Sequence, residues 1–111
     1  MLGINHALRG LFRMLRTERN FKIHILAFII IVTLGFALSI SNKDWIALLL
    51  ISGLVMSLEM INSAIEKTCD LFSTERNEKI KNIKDIGAGA VLITALFAIV
   101  IGILIFYPYL V

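Results

Sequence analysis

The stretch WIALLLISGLVMSLEMINS, residues 45–63, decides the fold because it is long and apolar enough to form a membrane-spanning helix. Similar apolar stretches occupy residues 25–40 and about 86–106, and only the polar tetrapeptide 41–44 separates the first two. We read that tetrapeptide as a tight turn, so the first two spans form a helical hairpin. The sequence predicts an all-α membrane protein with one domain, residues 1–111. Its spans lie within helices at about 25–41, 45–70 and 85–107.

Composition supports a bilayer as the solvent of this chain. The sequence is 59% hydrophobic and contains one proline, whereas soluble domains average about 45–50% apolar residues. Its single cysteine, Cys69, cannot form an internal disulfide, and no Cys/His pair has the spacing of a zinc finger. Neither an oxidising compartment nor a structural zinc is implied, and Cys69 is expected to be a packing residue.

Basic residues predict the orientation of the spans. One group precedes the first span and another lies between the second and third, whereas Lys43 stands alone in the intervening turn. Cytoplasmic loops carry the excess of Lys and Arg, so the N-terminus and residues 67–85 are expected in the cytosol and the C-terminus outside. Pro108 is expected to end the last helix at the outer interface. The two basic groups are Arg9, Arg13, Arg16, Arg19 and Lys22, and Lys67, Arg76, Lys79, Lys81 and Lys84. Three aromatic residues are expected at the outer interface: Trp45, Tyr107 and Tyr109.

Residues 1–22 are typical of an amphipathic surface helix. Apolar side chains cluster on one side and arginines on the other, a pattern that suits anionic lipid headgroups; no nucleic-acid partner is expected. A solvated basic leader remains the alternative. A signal peptide cleaved near Ser39 is disfavoured, because its basic region is too long and two spans would remain. The apolar side is formed by Leu8, Leu11, Phe12 and Leu15, and the basic side by Arg9, Arg13 and Arg16.

A polar stripe runs along the second span, formed by Glu59, Asn62, Ser63, Glu66 and Asp70. At about 100° per residue these positions share one face of a helix. Counted from the outer interface at about 1.5 Å per residue, Glu59 lies about 21 Å deep and Glu66 about 31 Å deep. An ionisable group buried in a membrane is by default a functional-site hypothesis. Interhelical hydrogen bonding would account for one such residue, but poorly for three carboxylates and an amide.

The stripe suits phosphoryl transfer at the membrane interface. Boundary carboxylates can hold Mg²⁺, and a deeper carboxylate can accept a proton from a lipid hydroxyl. Lys81 and Lys84 could supply positive charge to phosphates. No GxxxxGK(S/T) phosphate loop is present, and Gly87-Ala88-Gly89-Ala90 lacks the context of a dinucleotide loop. Those small residues predict close helix packing, with a backbone approach to phosphate as the alternative.

These motifs resemble the signature of the prokaryotic diacylglycerol kinase family. The string E-x-x-N-S/T-A-I-E-x-x-x-D covers residues 59–70, and Lys84-Asp85 follows with Ala88 and Ala90-Val91-Leu92. The resemblance extends to Gly10, Glu18 and Asn20 and covers nearly the whole chain.

The resemblance implies a homotrimer in the bacterial cytoplasmic membrane, with composite active sites that transfer the ATP γ-phosphate to a lipid hydroxyl. By position, Glu59 would be the general base with Asn62 beside it, and the surface helix would shape lipid entry. Glu18 and Glu66 would be the Mg²⁺ ligands. The residues around the nucleotide would be Glu18, Glu66, Asp70, Lys84 and Asp85.

The lipid acceptor is inferred from the stretch Thr17 to His24, which is similar to a Gram-positive branch that favours undecaprenol. A carboxylate usually replaces His24 in the branch that prefers diacylglycerol. We therefore expect undecaprenol, with diacylglycerol as the alternative. His24, expected near Glu18, would bind substrate or orient a ligand, or would merely anchor the helix at the interface.

Two hypotheses from other functional classes remain. A small multidrug transporter would also use one buried glutamate, but it normally needs a fourth span and gives no reason for Glu66, Asp70 and the Lys84-Asp85 pair. A non-catalytic interaction subunit would need only the small-residue packing face. Proton-coupled drug efflux would favour the first reading, and the absence of any ATP-dependent chemistry the second.

Overall fold

Within residues 2–72 and 77–111, which the computed structural model describes, the chain forms four α-helices. They are α1 (Leu2–Thr17), α2 (Arg19–Leu38), α3 (Asn42–Phe72) and α4 (Glu78–Leu110). By length and composition, α2, α3 and α4 can each cross a membrane, so the prediction of an all-α protein with three spanning helices is confirmed. Arg76, counted above among the basic residues, lies outside the described residues.

The chain bends at Glu18, where the sequence predicted one continuous helix over 1–22. Glu18 has an extended backbone (φ −103°, ψ 108°) and stands at the N-terminus of α2. The Thr17 hydroxyl donates to the Arg13 carbonyl oxygen at 2.7 Å, a local bond that commonly bends helices. Met14 and Phe21, on either side of this break, are buried. The bend therefore separates α1 from the spanning helix α2.

The hairpin turn also differs from the prediction, because it occupies residues 39–41 and not 41–44. Ser39 adopts the left-handed conformation (φ 51°) that commonly ends a helix, so α2 stops at Leu38 and does not reach residue 41. The Ser41 hydroxyl oxygen then accepts a hydrogen bond from the Asp44 backbone amide at 3.2 Å, as an N-capping side chain does. Residues 42–44 consequently form the first turn of α3.

The turn end of the bundle, where α2 ends, α3 begins and α4 ends, contains the apolar core. Ile40, Leu48, Ile105 and Phe106 are buried together there. The α4 helix continues to Leu110 past Pro108, which was expected to end it. The Tyr109 hydroxyl ties this last turn to the hairpin: it accepts from the Ser41 amide at 3.1 Å and donates to Asp44 Oδ2 at 2.9 Å. These bonds offset the backbone donor that proline lacks.

At the basic end, where α2 begins, α3 ends and α4 begins, the packing includes polar side chains. The α3 and α4 helices form the most extensive helix pair in the described chain. Glu59, Asn62 and Ser63 of α3 are buried, as are Gly87 and Thr94 of α4. Because buried polar groups are costly unless they are paired, this end is where a functional site is expected.

Candidate functional site

The deepest ionisable group of the site is Glu59, which is only 6% exposed within α3. The α2 helix brings His24 alongside it, with Nε2 3.8 Å from Glu59 Oε2. This separation is an ion-pair distance and is longer than a hydrogen bond. The His24 side chain is 29% exposed, so the pair links the buried carboxylate to the protein surface. The sequence placed His24 near Glu18, whereas the structure places it beside Glu59.

One turn further along α3, Asn62 holds the next carboxylate. Its Nδ2 donates to Glu66 Oε1 at 3.3 Å. Asn62 is 8% exposed, whereas Glu66 is exposed. A buried amide thus orients a carboxylate that faces outward, which leaves the other acceptor positions of Glu66 available to a ligand.

Glu18, at the bend between α1 and α2, is held by a lysine from α3. Lys67 Nζ lies 2.5 Å from Glu18 Oε1. Because Lys67 directly follows Glu66, this ion pair places Glu18 at the same level of α3 as Glu66. From the sequence, Lys67 is expected only as one of the basic residues on the cytosolic side. No sequence signal could have found the pair, since its members are 49 positions apart and meet only because the chain bends at Glu18.

The remaining predicted site residues form two ion pairs. Lys84 of α4 donates to Asp70 of α3 at 2.7 Å, and Lys81 donates to Asp85 at 2.9 Å within α4. Lys84 therefore links α3 and α4, while Asp85 is paired one turn back along its own helix. All four side chains are more than a third exposed, so a charged ligand can compete for them.

The carboxylates at this end suit a magnesium ion that also binds phosphate. Among residues 2–72 and 77–111, no group of three or more His, Cys, Asp or Glu side chains could hold a metal alone. Mg²⁺ is usually bound by one or two carboxylates, with water and substrate phosphates completing its shell. Glu18 and Glu66 provide such oxygen donors. Glu18 already forms an ion pair with the Lys67 ammonium, so its carboxylate is placed where a positive charge can bind. The residues present thus fit a Mg²⁺–nucleotide complex.

An apolar groove of about 670 Å³ starts at the exposed edge of this site. Ile23 and His24 of α2 line it at the basic end, and Tyr107 and Leu110 of α4 line it at the turn end. Small side chains, among them Ala98 and Gly102, form much of its α4 wall. A groove of this shape can take one hydrocarbon chain and bring its polar head to His24.

Comparison with known proteins agrees with this geometry. The family described as prokaryotic diacylglycerol kinase matches residues 5–106. An undecaprenol kinase of Bacillus subtilis is 41% identical over 103 residues, which are 93% of this chain and 84% of the relative. A diacylglycerol kinase of Haemophilus influenzae is 32% identical over 103 residues, 92% of this chain and 87% of the relative. One of Synechocystis is 34% identical over 103 residues, 92% of this chain and 59% of the relative.

These matches confirm the resemblance drawn from residues 59–70 and 84–92. They also weigh against the transporter and the non-catalytic subunit, because the matched relatives are named as lipid kinases. The chain belongs to the prokaryotic diacylglycerol kinase family.

Proposed function

We propose that this protein transfers the γ-phosphate of ATP to the hydroxyl of undecaprenol and so makes undecaprenyl phosphate. The observation that carries the proposal is Glu59, a carboxylate only 6% exposed that lies beside His24 at the head of an apolar groove. A deeply buried carboxylate beside a histidine that lines a lipid-sized groove is suited to act on a lipid hydroxyl. The 41% identity to an undecaprenol kinase supports this acceptor.

In the proposed reaction Glu59 is the general base. Its carboxylate takes the proton of the lipid hydroxyl while the hydroxyl oxygen bonds to the γ-phosphorus of ATP. The bond from that phosphorus to the β,γ-bridging oxygen breaks, ADP leaves with the electron pair, and Glu59 later returns the proton to water. His24 lies 3.8 Å from the Glu59 carboxylate and also lines the groove, so it connects the base to the lipid path. Phosphoryl transfer depends mostly on positioning and charge stabilisation, which is what these two side chains supply.

Glu18 and Glu66 are the proposed ligands of Mg²⁺, which when bound neutralises charge on the phosphates. Asn62 orients Glu66, and the bend at Glu18 brings the second carboxylate to the same level of α3. Asp70, Lys84 and Asp85 would surround the nucleotide at the basic end. Their exposed ion pairs can open to admit phosphate at low cost, because solvent screens such pairs.

The α1 helix is proposed to lie on the membrane surface. Leu8, Leu11, Phe12 and Leu15 are exposed in the structure. On the same helix, Arg9, Arg13 and Arg16 line a groove together with Phe12 and Thr17. Apolar side chains would enter the bilayer while the arginines bind anionic headgroups. The α1 helix would then shape the path of the lipid to the site.

We further propose that the basic end faces the cytosol, which supplies ATP, and that the C-terminus lies outside. The predominance of Lys and Arg at that end supports this orientation. A homotrimer with sites shared between subunits is also proposed. Glu66 and Asp70 stay exposed in a single chain, and a neighbouring subunit would enclose them.

Diacylglycerol is the second candidate acceptor, because other relatives of this chain are named diacylglycerol kinases. The discriminating experiment reconstitutes the protein in bilayers with Mg²⁺ and labelled ATP, and offers undecaprenol and diacylglycerol separately. We expect label to enter undecaprenol faster. Faster labelling of diacylglycerol would show that undecaprenol is the wrong acceptor, while the proposed lipid kinase activity would stand. Label in neither lipid, from folded protein, would reject both acceptors.

A further inference from the structure

We propose that Gly87 of α4 is a positioning residue for the Mg²⁺–ATP site. It makes room for the Asn62 amide that orients Glu66. This inference rests on the proposed function, in which Glu66 is a ligand of the metal. Gly87 has no chemistry of its own, and its contribution is the absence of a side chain.

The α3 and α4 helices are in close contact at Gly87. A Cβ atom at Gly87 would overlap Asn62 Oδ1, and it would lie 3.5 Å from Asn62 Cγ and 3.7 Å from Ile65 Cδ1. Gly87 and Asn62 are both buried. Close-packed interiors do not absorb an added methyl group freely, so an alanine at position 87 must displace the amide.

The orientation of that amide is fixed by its partner. An ionised carboxylate only accepts hydrogen bonds, so Asn62 must turn its Nδ2 toward Glu66, and its Oδ1 must then face Gly87. Asn62 Oδ1 is buried without a hydrogen-bond partner in the part of the chain that the structure describes. Reversing the amide would set an oxygen against the Glu66 carboxylate. Rotating the amide away from position 87 is the easier response, because the last torsion of asparagine is soft.

Rotation of the amide would break its hydrogen bond to Glu66. Glu66 would then lose the donor that holds it from the buried side, and the metal-bound nucleotide would lose an oriented ligand. Gly87 is not among the residues that line the apolar groove, and the atoms nearest to its added Cβ belong to Asn62 and Ile65, so binding of the lipid should be unaffected. The expected signature is a split, with the KM for Mg-ATP raised about tenfold and the KM for undecaprenol unchanged.

The α4 helix offers a matched control two residues away. A Cβ at Gly89 would meet nothing within 4 Å, so Gly89→Ala makes the same chemical change on the same helix without a clash. The experiment compares wild type, Gly87→Ala and Gly89→Ala in bilayers. It measures binding of a non-hydrolysable ATP analogue with Mg²⁺ and the two KM values. We expect weakened nucleotide binding in Gly87→Ala alone. Equal affinities in the two variants would overturn the proposal.

A double-mutant cycle separates positioning from general damage to the helix pair. In the Asn62→Ala background the clash is gone, so adding Gly87→Ala should cause no further loss of nucleotide affinity. An additional tenfold loss would overturn the proposal. This double variant also covers the case in which Gly87→Ala alone does not fold.

The nucleotide-binding measurement keeps this inference distinct from the proposed function. Wild-type protein that labels no undecaprenol would reject the proposed acceptor, while the comparison of Gly87→Ala with Gly89→Ala would still decide the role of Gly87. Wild-type protein that binds no Mg²⁺–nucleotide would overturn both.

Discussion

The His24–Glu59 pair predicts a measurable coupling between α2 and α3. With the imidazole protonated and the carboxylate ionised, the observed separation of 3.8 Å corresponds to an attraction of about 4 kcal/mol at an effective dielectric constant of about 20. The His24 side chain is 29% exposed, so water screens part of this attraction. Desolvation of the buried carboxylate offsets another part. We therefore expect His24→Ala and Glu59→Gln to be coupled by about 1–3 kcal/mol in the free energy of unfolding.

The assay is a double-mutant cycle on detergent-solubilised protein, with unfolding followed by the fluorescence of Trp45, the single tryptophan. Asp44→Asn paired with His24→Ala is the control. Asp44 precedes Glu59 on α3 by about 22 Å of helix rise, and such distant changes should add within about 0.5 kcal/mol. The pairing is refuted if the His24 and Glu59 changes prove equally additive.

Two further predictions separate the functional end of the bundle from its structural end. Lys84→Gln should lower affinity for Mg-ATP about tenfold with little change in unfolding, because its ion pair is exposed. Nucleotide titrations check this, and an equal loss in the control Lys79→Gln, on the same helix, would mean that charge alone matters. Gly35→Ala should destabilise the fold by about 1–3 kcal/mol, since its Cβ would lie 2.7 Å from Trp45 Cη2. Gly53→Ala, with open space around it, should not destabilise it, and equal unfolding curves for the two variants would contradict the packing at the turn end.

Hydropathy was enough to predict the spans because a bilayer leaves the backbone few alternatives to a helix. The residues at which the helices end were harder to predict from the sequence. The hairpin turn depends on the left-handed backbone of Ser39 and on the Ser41 cap, and composition gave no reason to choose these residues over 42–44. The bend at Glu18 was missed because it depends on the extended backbone of Glu18, which the composition of residues 1–22 gave no reason to predict.

For the site, helical periodicity could group residues of one helix but could not pair residues of different helices. The stripe from Glu59 to Asp70 lies on α3 alone, so its members follow from the 3.6-residue repeat. The pairing of His24 with Glu59, and of Lys67 with Glu18, depends on how each helix is rotated about its axis. The space at Gly87 likewise appears only when α4 packs against Asn62. Sequence spacing carries no information about such rotations.

We propose Glu59 as the base that activates the lipid hydroxyl. The most direct test measures transfer of labelled γ-phosphate from Mg-ATP to undecaprenol by bilayer-reconstituted wild type and Glu59→Gln. The substitution keeps the size of the side chain but removes its ability to take a proton. Because general base catalysis contributes about 10²–10⁴-fold, we predict that Glu59→Gln loses at least about a hundredfold in turnover while it still folds and binds Mg-ATP. Turnover close to wild type in that variant would contradict the assignment.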